Sequence, residues 1–311
     1  VTIVTVTANT TIDLTVFVPA WQPDSTIRAT RSAESMGGKP TDASFILGEL
    51  GVSSLALGFA AGPTGQKVVQ LLAARGVETE FVWVDGDTRI NVVIIDEGAG
   101  THTTVTTTTM TVSPAHIDML LNRVHTAMRE ASVLVTGGSL PFGVPPSFYA
   151  DVIQIGRDAG VPVIFDAAEP NLSAGLRAHP TIIKPNRDEL SALLKRPVRT
   201  LEDAYAAGRE LHRQHGVIPI ITLGGDGALA VLPERAWRIP PIPVEVVSPA
   251  GAGDAVLAGM AASFEHGQGL EEGLRLGVAA ATAVLLQPGT ADCRRADVEA
   301  FLPQVQLLPY P

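Results

Sequence analysis

Residues 161–195 read VPVIFDAAEPNLSAGLRAHPTIIKPNRDELSALLK. Two short apolar runs stand in this stretch, VPVIF and TII, and both carry the β-branched residues that suit a pleated strand. A loop joins them, and the second run leads into RDELSALLK, which reads as a helix. Upstream, SVLVTG (132–137) precedes a predicted helix near 145–159. Downstream, a helix over 201–215 leads into IPIITLGGDGALAVL (218–232). Short apolar strands alternating with amphipathic helices form right-handed βαβ units, and so a parallel sheet.

The same rhythm holds toward the N-terminus. Residues 1–8 alternate apolar residues with Thr, a strand pattern. DASFILGELG (42–51) places Ala43, Ile46, Leu47 and Leu50 at helical spacing, with Gly51 as its stop. SPAHIDMLLNRVHTAM (113–128) offers Ser113 as a cap, Pro114 at the first helical position, and Ile117, Leu121, Val124 and Met128 on one face. Two stretches break the pattern. LTVFVP and STIRATRSAES lie within 12–35; TRINVVIID and HTTVTTTTM lie within 88–110. These read as four strands with no helix between them, a small antiparallel sheet inserted in two pieces. The Thr run 101–111 fits a half-exposed strand, because Thr is β-branched yet tolerates water. PPIPVEVVSP (240–249) reads as a connection with one short strand.

Composition limits the class of protein. The chain has 311 residues, 46% hydrophobic and 17% charged, enough for one large domain with a substantial core and no wholesale disorder. Its 22 basic and 32 acidic residues give a net charge of −10. With no basic run, a nucleic-acid-binding surface is not expected. A lone cysteine, Cys293, excludes an internal disulfide framework and a cysteine-based zinc site, and fits a reducing compartment. The first residues lack the basic segment and apolar stretch of a signal peptide. No segment reaches the ~18 apolar residues of a membrane span. The expectation is a soluble cytoplasmic protein without a membrane partner.

Residues 249–267, PAGAGDAVLAGMAASFEHG, carry chemistry. A helix is expected to begin near Asp254, with Val256, Met260 and Phe264 on one face and Gly267 ending it. A helix start exposes unpaired N–H groups and the positive end of the dipole. The small residues Gly251, Ala252 and Gly253 allow an anion to approach that backbone. Asp254 then has two readings: an ordinary first-turn acid, or a base that takes a proton from a hydroxyl while that hydroxyl attacks a phosphoryl group. There is no GxxxxGK[ST] and no GxGxxG after the first strand, so neither a P-loop nor a dinucleotide fingerprint accounts for the cradle. HExxH and GxSxG are also absent.

Four more segments fall in order with GAGD: MGGKPTDA (36–43), GGSLPFG (137–143), KPNRDEL (184–190) and TLGGDGAL (222–229). In this order and spacing the chain resembles the ribokinase-like (PfkB) carbohydrate kinases, in particular their 1-phosphofructokinase and tagatose-6-phosphate kinase branch. The resemblance runs from ANTTID (8–13) to LLQPGT (285–290). It implies a doubly wound α/β fold with a mostly parallel central sheet, helices on both faces and a small β-sheet lid. The core would be 1–11, 36–84 and 111–311, and the lid 12–35 and 85–110. It implies ATP and Mg²⁺ as cofactors and transfer of the γ-phosphoryl group to a hydroxyl of a ketohexose phosphate.

Residue by residue, the resemblance makes Asp254 the base and Gly251, Ala252 and Gly253 the donors to the moving phosphoryl group. Asn186 and Glu189 would bind Mg²⁺, mostly through water. Thr222, Gly224 and Gly227 would line the nucleotide, with Lys184 and Asn186 beside it. Asp13, Gly37, Gly38, Lys39 and Asp42 would hold the sugar, with Arg28, Arg89 and Ser139 nearby. The match has departures. The family signature is Gly-Gly-Lys-Gly-x-Asn; here Pro40 replaces a glycine and Asp42 replaces the asparagine. An ionised Asp42 accepts hydrogen bonds but cannot donate, and it adds a negative charge; it also reads as a cap for the helix after it. Thr26 and Thr103 stand where basic residues would grip a substrate phosphate. Two alternatives therefore stay open: a kinase for an unphosphorylated sugar or nucleoside, and a non-catalytic sugar or nucleotide sensor on a kinase fold. A lid face with few charges would pair in a homodimer.

Overall fold

The computed structural model describes residues 2–107 and 109–311. Val1, assigned above to the core, and Thr108, assigned to the lid, lie outside the described residues. In chain order the elements are β1 (Thr2–Thr7), β2 (Thr11–Val18), β3 (Arg31–Gly37), α1 (Lys39–Glu49), β4 (Ser54–Ala60), α2 (Gly62–Ala74), β5 (Glu78–Trp83), β6 (Arg89–Asp96), β7 (Thr101–Thr106), α3 (Pro114–Ala127), β8 (Ala131–Gly137), α4 (Ser147–Asp158), β9 (Val163–Asp166), α5 (Asn171–Leu176), β10 (Ile182–Ile183), α6 (Arg187–Leu194), α7 (Leu201–His215), β11 (Ile218–Thr222), β12 (Ala228–Val231), β13 (Ala236–Ile239), α8 (Ala252–Glu265), α9 (Leu270–Val284), α10 (Arg295–Phe301) and β14 (Leu308–Tyr310).

The large sheet runs in the order β14-β13-β12-β11-β10-β9-β8-β1-β4-β5. From β11 to β5 every pair is parallel. The connection from β11 to β12 is too short for a crossover, so β12 turns back antiparallel, and β13 and β14 continue that way. Helices cover both faces. Val4, Phe148 and Phe165 belong to the core on one side; Ile3, Val133 and Ile164 belong to the other with α8 and α9. The Thr/apolar alternation of β1 suggests one wet face, but β1 is central and buried on both. Its Thr5 bonds Ser44 at 2.8 Å in place of water.

Chain order reverses around β1. Strands β4 and β5 are added on one side of it, then β8 to β11 on the other. Crevices beyond the carboxyl ends of parallel strands at such a reversal are where α/β sheets take ligands. Asp166 ends β9, Gly137 ends β8, and Lys184 directly follows β10.

The second sheet has the order β3-β2-β6-β7. It is mixed, not antiparallel as expected: β2 pairs antiparallel with β3 but parallel with β6. Two parallel core strands, β1 and β5, each send the chain outward in one direction, so the first lid strand of each piece runs the same way. The register sets Asp13 opposite Asn91. Strand β7 is exposed along its whole length rather than on one face, because it is an edge with nothing packed over it.

Three local expectations change. Residues 240–249 form no strand, since Pro240, Pro241 and Pro243 lack the N–H a ladder needs. The loop between VPVIF and TII contains the short α5. Helix α1 starts at Lys39, with Gly38 as N-cap at φ 98°, so Asp42 lies inside the first turn and caps nothing. Pro40 fits there because first-turn N–H groups have no intrahelical partner to lose. Helix α8 likewise starts at Ala252, with Gly251 as N-cap in the left-handed region, and Asp254 falls in its first turn.

Candidate active site

The centre of the site is a carboxylate not singled out from the sequence. Asp166 ends β9, is 1% exposed, and accepts from Lys39 Nζ at 3.0 Å and Lys184 Nζ at 2.9 Å. Burial pushes the Asp166 pKa up, but Lys184 and Lys39 overcome it and hold the carboxyl below its ordinary range. Lys39 opens α1 and reaches Glu189 Oε1 at 3.7 Å as well. Burial pulls the Lys39 ammonium down, and Asp166, Asp254 and Glu189 together lift it above the lysine range. Both lysine side chains thus converge on Asp166 at the carboxyl end of β9. A side chain ending an apolar run in a parallel strand was the sequence signal for Asp166.

Asp254 faces these cations from α8. Burial pushes its pKa up to about 6, against the pull of Lys39 and Lys184, while Asp166 adds repulsion. Beside it lies the start of α8, Gly251 to Gly253. Among the described residues no backbone hydrogen bond engages the N–H of Gly251 or Gly253, whereas Ala252 N–H turns back to Pro249 O at 3.4 Å. A Cβ on Gly251 would stand 2.2 Å from Ala291 N, and Gly251 has φ 82°, so only glycine fits. A Cβ on Gly253 would stand 3.3 Å from Lys184 Nζ, which places that ammonium against the cradle.

The sugar-side residues gather on α1, β2 and β6. Asp42 is 2% exposed, and its Oδ1 has no hydrogen-bond partner among the described residues. Burial, then the charges of Asp254 and Asp13, push its pKa well up. Asp13 is raised too, by burial, against Asn91 and Arg89. Asn91 Nδ2 donates to Asp13 Oδ1 at 2.9 Å. Gly37 leaves room for Asp13: a Cβ there would lie 2.3 Å from its Oδ1. Arg89 Nε donates to Thr11 Oγ1 at 2.8 Å, and burial lowers its pKa. Ser139 accepts from Asn9 Nδ2 at 3.3 Å, and Asn9 Oδ1 accepts from Thr109 at 2.6 Å. Tyr149, fully buried, donates to Gly137 O at 2.6 Å and shapes the same loop. Asn9, Asn91, Thr109 and Tyr149 carried no sequence signal, since only cross-strand pairing and packing bring them here.

Arg28 is not brought in. It is exposed in the loop between β2 and β3, with no hydrogen bond or ion pair among the described residues. Thr26 and Thr103 are exposed as well.

On the other side, Asn186 and Glu189 form a reciprocal cap of α6. Asn186 Oδ1 accepts from Glu189 N–H, and Glu189 Oε2 accepts from Asn186 N–H, both at 2.9 Å. Glu189 Oε1 remains for Lys39. Thr222 bridges Asn186 in parallel fashion, and its N–H bonds Pro185 O at 3.0 Å. The turn after it is glycine by necessity at two points. Gly224 has φ 60° with open space around it, and a Cβ on Gly227 would lie 2.0 Å from Ile239 O. Arg187 ties this turn to α6 through Asp226 at 2.6 Å.

Among the described residues no group of three or more His, Cys, Asp or Glu side chains is placed to hold a metal ion. Mg²⁺ keeps most of its water and leans on phosphate oxygens, so Glu189 Oε1, held only by Lys39 at 3.7 Å, fits that ion and does not fit a caged metal. No helix among the described residues is long and apolar enough to cross a membrane.

A family model for pfkB family carbohydrate kinases matches residues 2–297. A 1-phosphofructokinase of Haloferax volcanii is 34% identical over 301 residues, covering 96% of this chain and 95% of the relative. A tagatose-6-phosphate kinase of Staphylococcus epidermidis is 29% identical over 276 residues, covering 88% of each. The solved structure of phosphofructokinase-2 from Escherichia coli, in complex with substrates and products, matches with a TM-score of 0.90 at 30% identity, over 98% of this chain and 99% of that one.

Proposed function

This chain belongs to the pfkB family of carbohydrate kinases, and on that premise we propose that it phosphorylates a hydroxyl of a ketohexose phosphate from ATP. The observation that carries this is Asp254, a carboxyl with its pKa near about 6, set between two fixed ammonium groups and a backbone cradle with free N–H groups. Asp254 takes the proton of the acceptor hydroxyl. The acceptor oxygen bonds to the γ-phosphorus, the bond to the β-phosphate oxygen breaks, and ADP leaves. The N–H groups of Gly251 and Gly253 face the charge on the moving group, Ala252 N–H joins them if its weak turn bond opens, and Lys184 stands against it. Thr222, Gly224 and Gly227 let the nucleotide lie on backbone. Asn186 and Glu189 would hold Mg²⁺ largely through water, and the ion would supply neutralisation of phosphate oxygens when bound.

Asp13, Asp42, Lys39 and Ser139 contact the sugar, with Gly37 and Gly38 letting it close on the backbone. Arg89 is the cation beside Asp13 and the group for a substrate phosphate; Arg28 joins only if its loop moves inward. Residues 12–35 and 85–110 act as the lid on a core of 1–11, 36–84 and 111–311, closing to exclude water. Exposed Trp21, Ile90 and Val105 on that lid suit a second copy of the chain, so a homodimer in a reducing cytoplasm is the assembly proposed.

A second reading, an unphosphorylated sugar, draws support from three carboxyl groups at the acceptor end and from Arg28, Thr26 and Thr103 lying outside. Phosphate transfer to fructose 1-phosphate, fructose 6-phosphate, tagatose 6-phosphate and the free sugars, with and without Mg²⁺, separates the two. Asp254→Asn is expected to keep its fold by circular dichroism and lose about 10²–10⁴-fold in kcat. Near-normal turnover in that variant would remove Asp254 from the mechanism.

A further inference from the structure

A cleft of about 280 Å³ lies where the starts of α6 and α7 meet the turn after β11 and strand β13. Three arginines line it, Arg187, Arg199 and Arg238, against a single acid, Asp226. Arg187 opens α6, Arg199 stands just before α7, and Arg238 lies on β13. A chain of net charge −10 has gathered three guanidinium groups around one small volume.

These cations are not spent on the protein. The guanidinium groups of Arg199 and Arg238 make no hydrogen bond or ion pair among the described residues. Arg187 is only half satisfied. Its Nη2 donates to Asp226 Oδ2 at 2.6 Å, while its Nε–H is enclosed with no acceptor. An enclosed N–H without an acceptor is costly, so this side chain gains by turning to one. It gives up little in doing so, because Asp226 is 65% exposed and exposed ion pairs are weak. The start of α7 adds donors. Thr200 caps the N–H of Asp203, which leaves the N–H groups of Leu201 and Glu202 without a hydrogen bond among the described residues. Of the two acids in that first turn, Asp203 is taken up by the N–H groups of Arg199 and Thr200, and neither it nor Glu202 lines the cleft.

Three guanidinium forks and a helix start with open N–H groups match a tetrahedral oxyanion with two charges. The volume is just below the roughly 300–1,000 Å³ of pockets for drug-sized ligands. It suits a phosphate group with few or no carbons attached, and not a nucleotide. Asp226 belongs to the turn that carries Gly224 and Gly227, and its pair with Arg187 is the one side-chain tie from residues 223–227 to another element among the described residues.

We propose that this cleft binds a phosphate dianion, free or as the ester of a small molecule, and that the bound anion draws Arg187 from Asp226 and loosens the nucleotide turn. ATP then binds less tightly, which makes the cleft an inhibitory site. The binding needs only the cleft; its effect on ATP rests on the kinase reading.

Two measurements test this. In the first, inorganic phosphate and glycerol 3-phosphate are titrated separately into isotope-labelled protein without ATP or Mg²⁺, and amide signals are followed by nuclear magnetic resonance. Saturable shifts at Leu201, Glu202 and Asp226 are expected in the wild type and are lost in the double variant Arg199→Gln, Arg238→Gln. A response to inorganic phosphate makes the free ion sufficient; a response to glycerol 3-phosphate alone assigns the cleft to esters. Signals that stay still with both anions, or that move equally in the double variant, overturn the site. If the double variant misfolds, Arg238→Gln alone carries the same comparison. In the second, the anion that binds raises the KM for ATP of the wild type about two- to fivefold, the scale of one exposed ion pair lost. The double variant keeps the basal kcat and KM and does not respond. An equal rise in both proteins places the anion in the catalytic cleft and overturns the coupling, as does an unmoved KM. Because the titration needs no turnover, a chain with no kinase activity would defeat the kinase reading and leave the first test standing.

Discussion

At the scale of single residues the site is a balance of buried charge. As the proposed base, Asp254 must be ionised to accept a proton, and burial pushes its pKa up to about 6. The sign follows: kcat/KM holds above that pH and falls as pH drops through it, because protonation removes the base. A pH–rate profile checks this, and an acid limb centred near an ordinary aspartate value would place the base elsewhere. Asp166 has a different task. It is the shared anion of two lysines, one of them 3% exposed. Asp166→Asn leaves those ammonium groups without their counter-charge and is expected to cost about 3–5 kcal/mol in urea unfolding, the usual result of breaking a buried pair from one side. A loss below about 1 kcal/mol, the scale of an exposed pair, would show that Lys39 and Lys184 find other partners.

At the scale of elements, what matters is how closely helices and strands approach the site. α8 carries Asp254 and the cradle, and it packs on α9 backbone to backbone: a Cβ on Gly259 would lie 2.2 Å from Gly277 N. Gly259→Ala is expected to force the two helices apart, costing about 1–3 kcal/mol in denaturant unfolding and lowering kcat by displacing Asp254. Unchanged stability would mean that α8 is not held by this contact. α6 shows one pair of side chains serving two purposes. Asn186 and Glu189 cap the helix through each other, and the cap presents Glu189 Oε1 to the cleft. The SxxE-like spacing of Asn186 and Glu189 was readable as a helix start. Their nearness to Lys39 was not, since 147 positions of chain separate Lys39 from Asn186.

At the scale of the molecule, the sheet order places one end of β1, β8, β9 and β10 beneath a lid built from two separate pieces of chain. The lid's outer edge, β7, is fully exposed, and Trp21, Ile90 and Val105 are uncovered near it. Sedimentation at micromolar concentration is expected to give a dimer, and Val105→Glu, a charge on that edge, is expected to shift it toward monomer. A wild-type monomer would rule out the lid as an interface.

The sequence by itself determined the strand–helix alternation from 131 to 222 and the helix that starts at GAGD, while its resemblance to a known family pointed to Asp254, Lys39 and Glu189. The alternation and the helix start are written in local periodicity and in small residues that only a close approach requires. It did not determine that β2 and β6 run parallel, that 240–249 stays irregular, or that Asp42 sits inside a helix facing two other acids. Those depend on which strand lies beside which and on how deeply a carboxyl is buried. A side chain's proton is set by charges brought near in space, and only the folded chain fixes those distances.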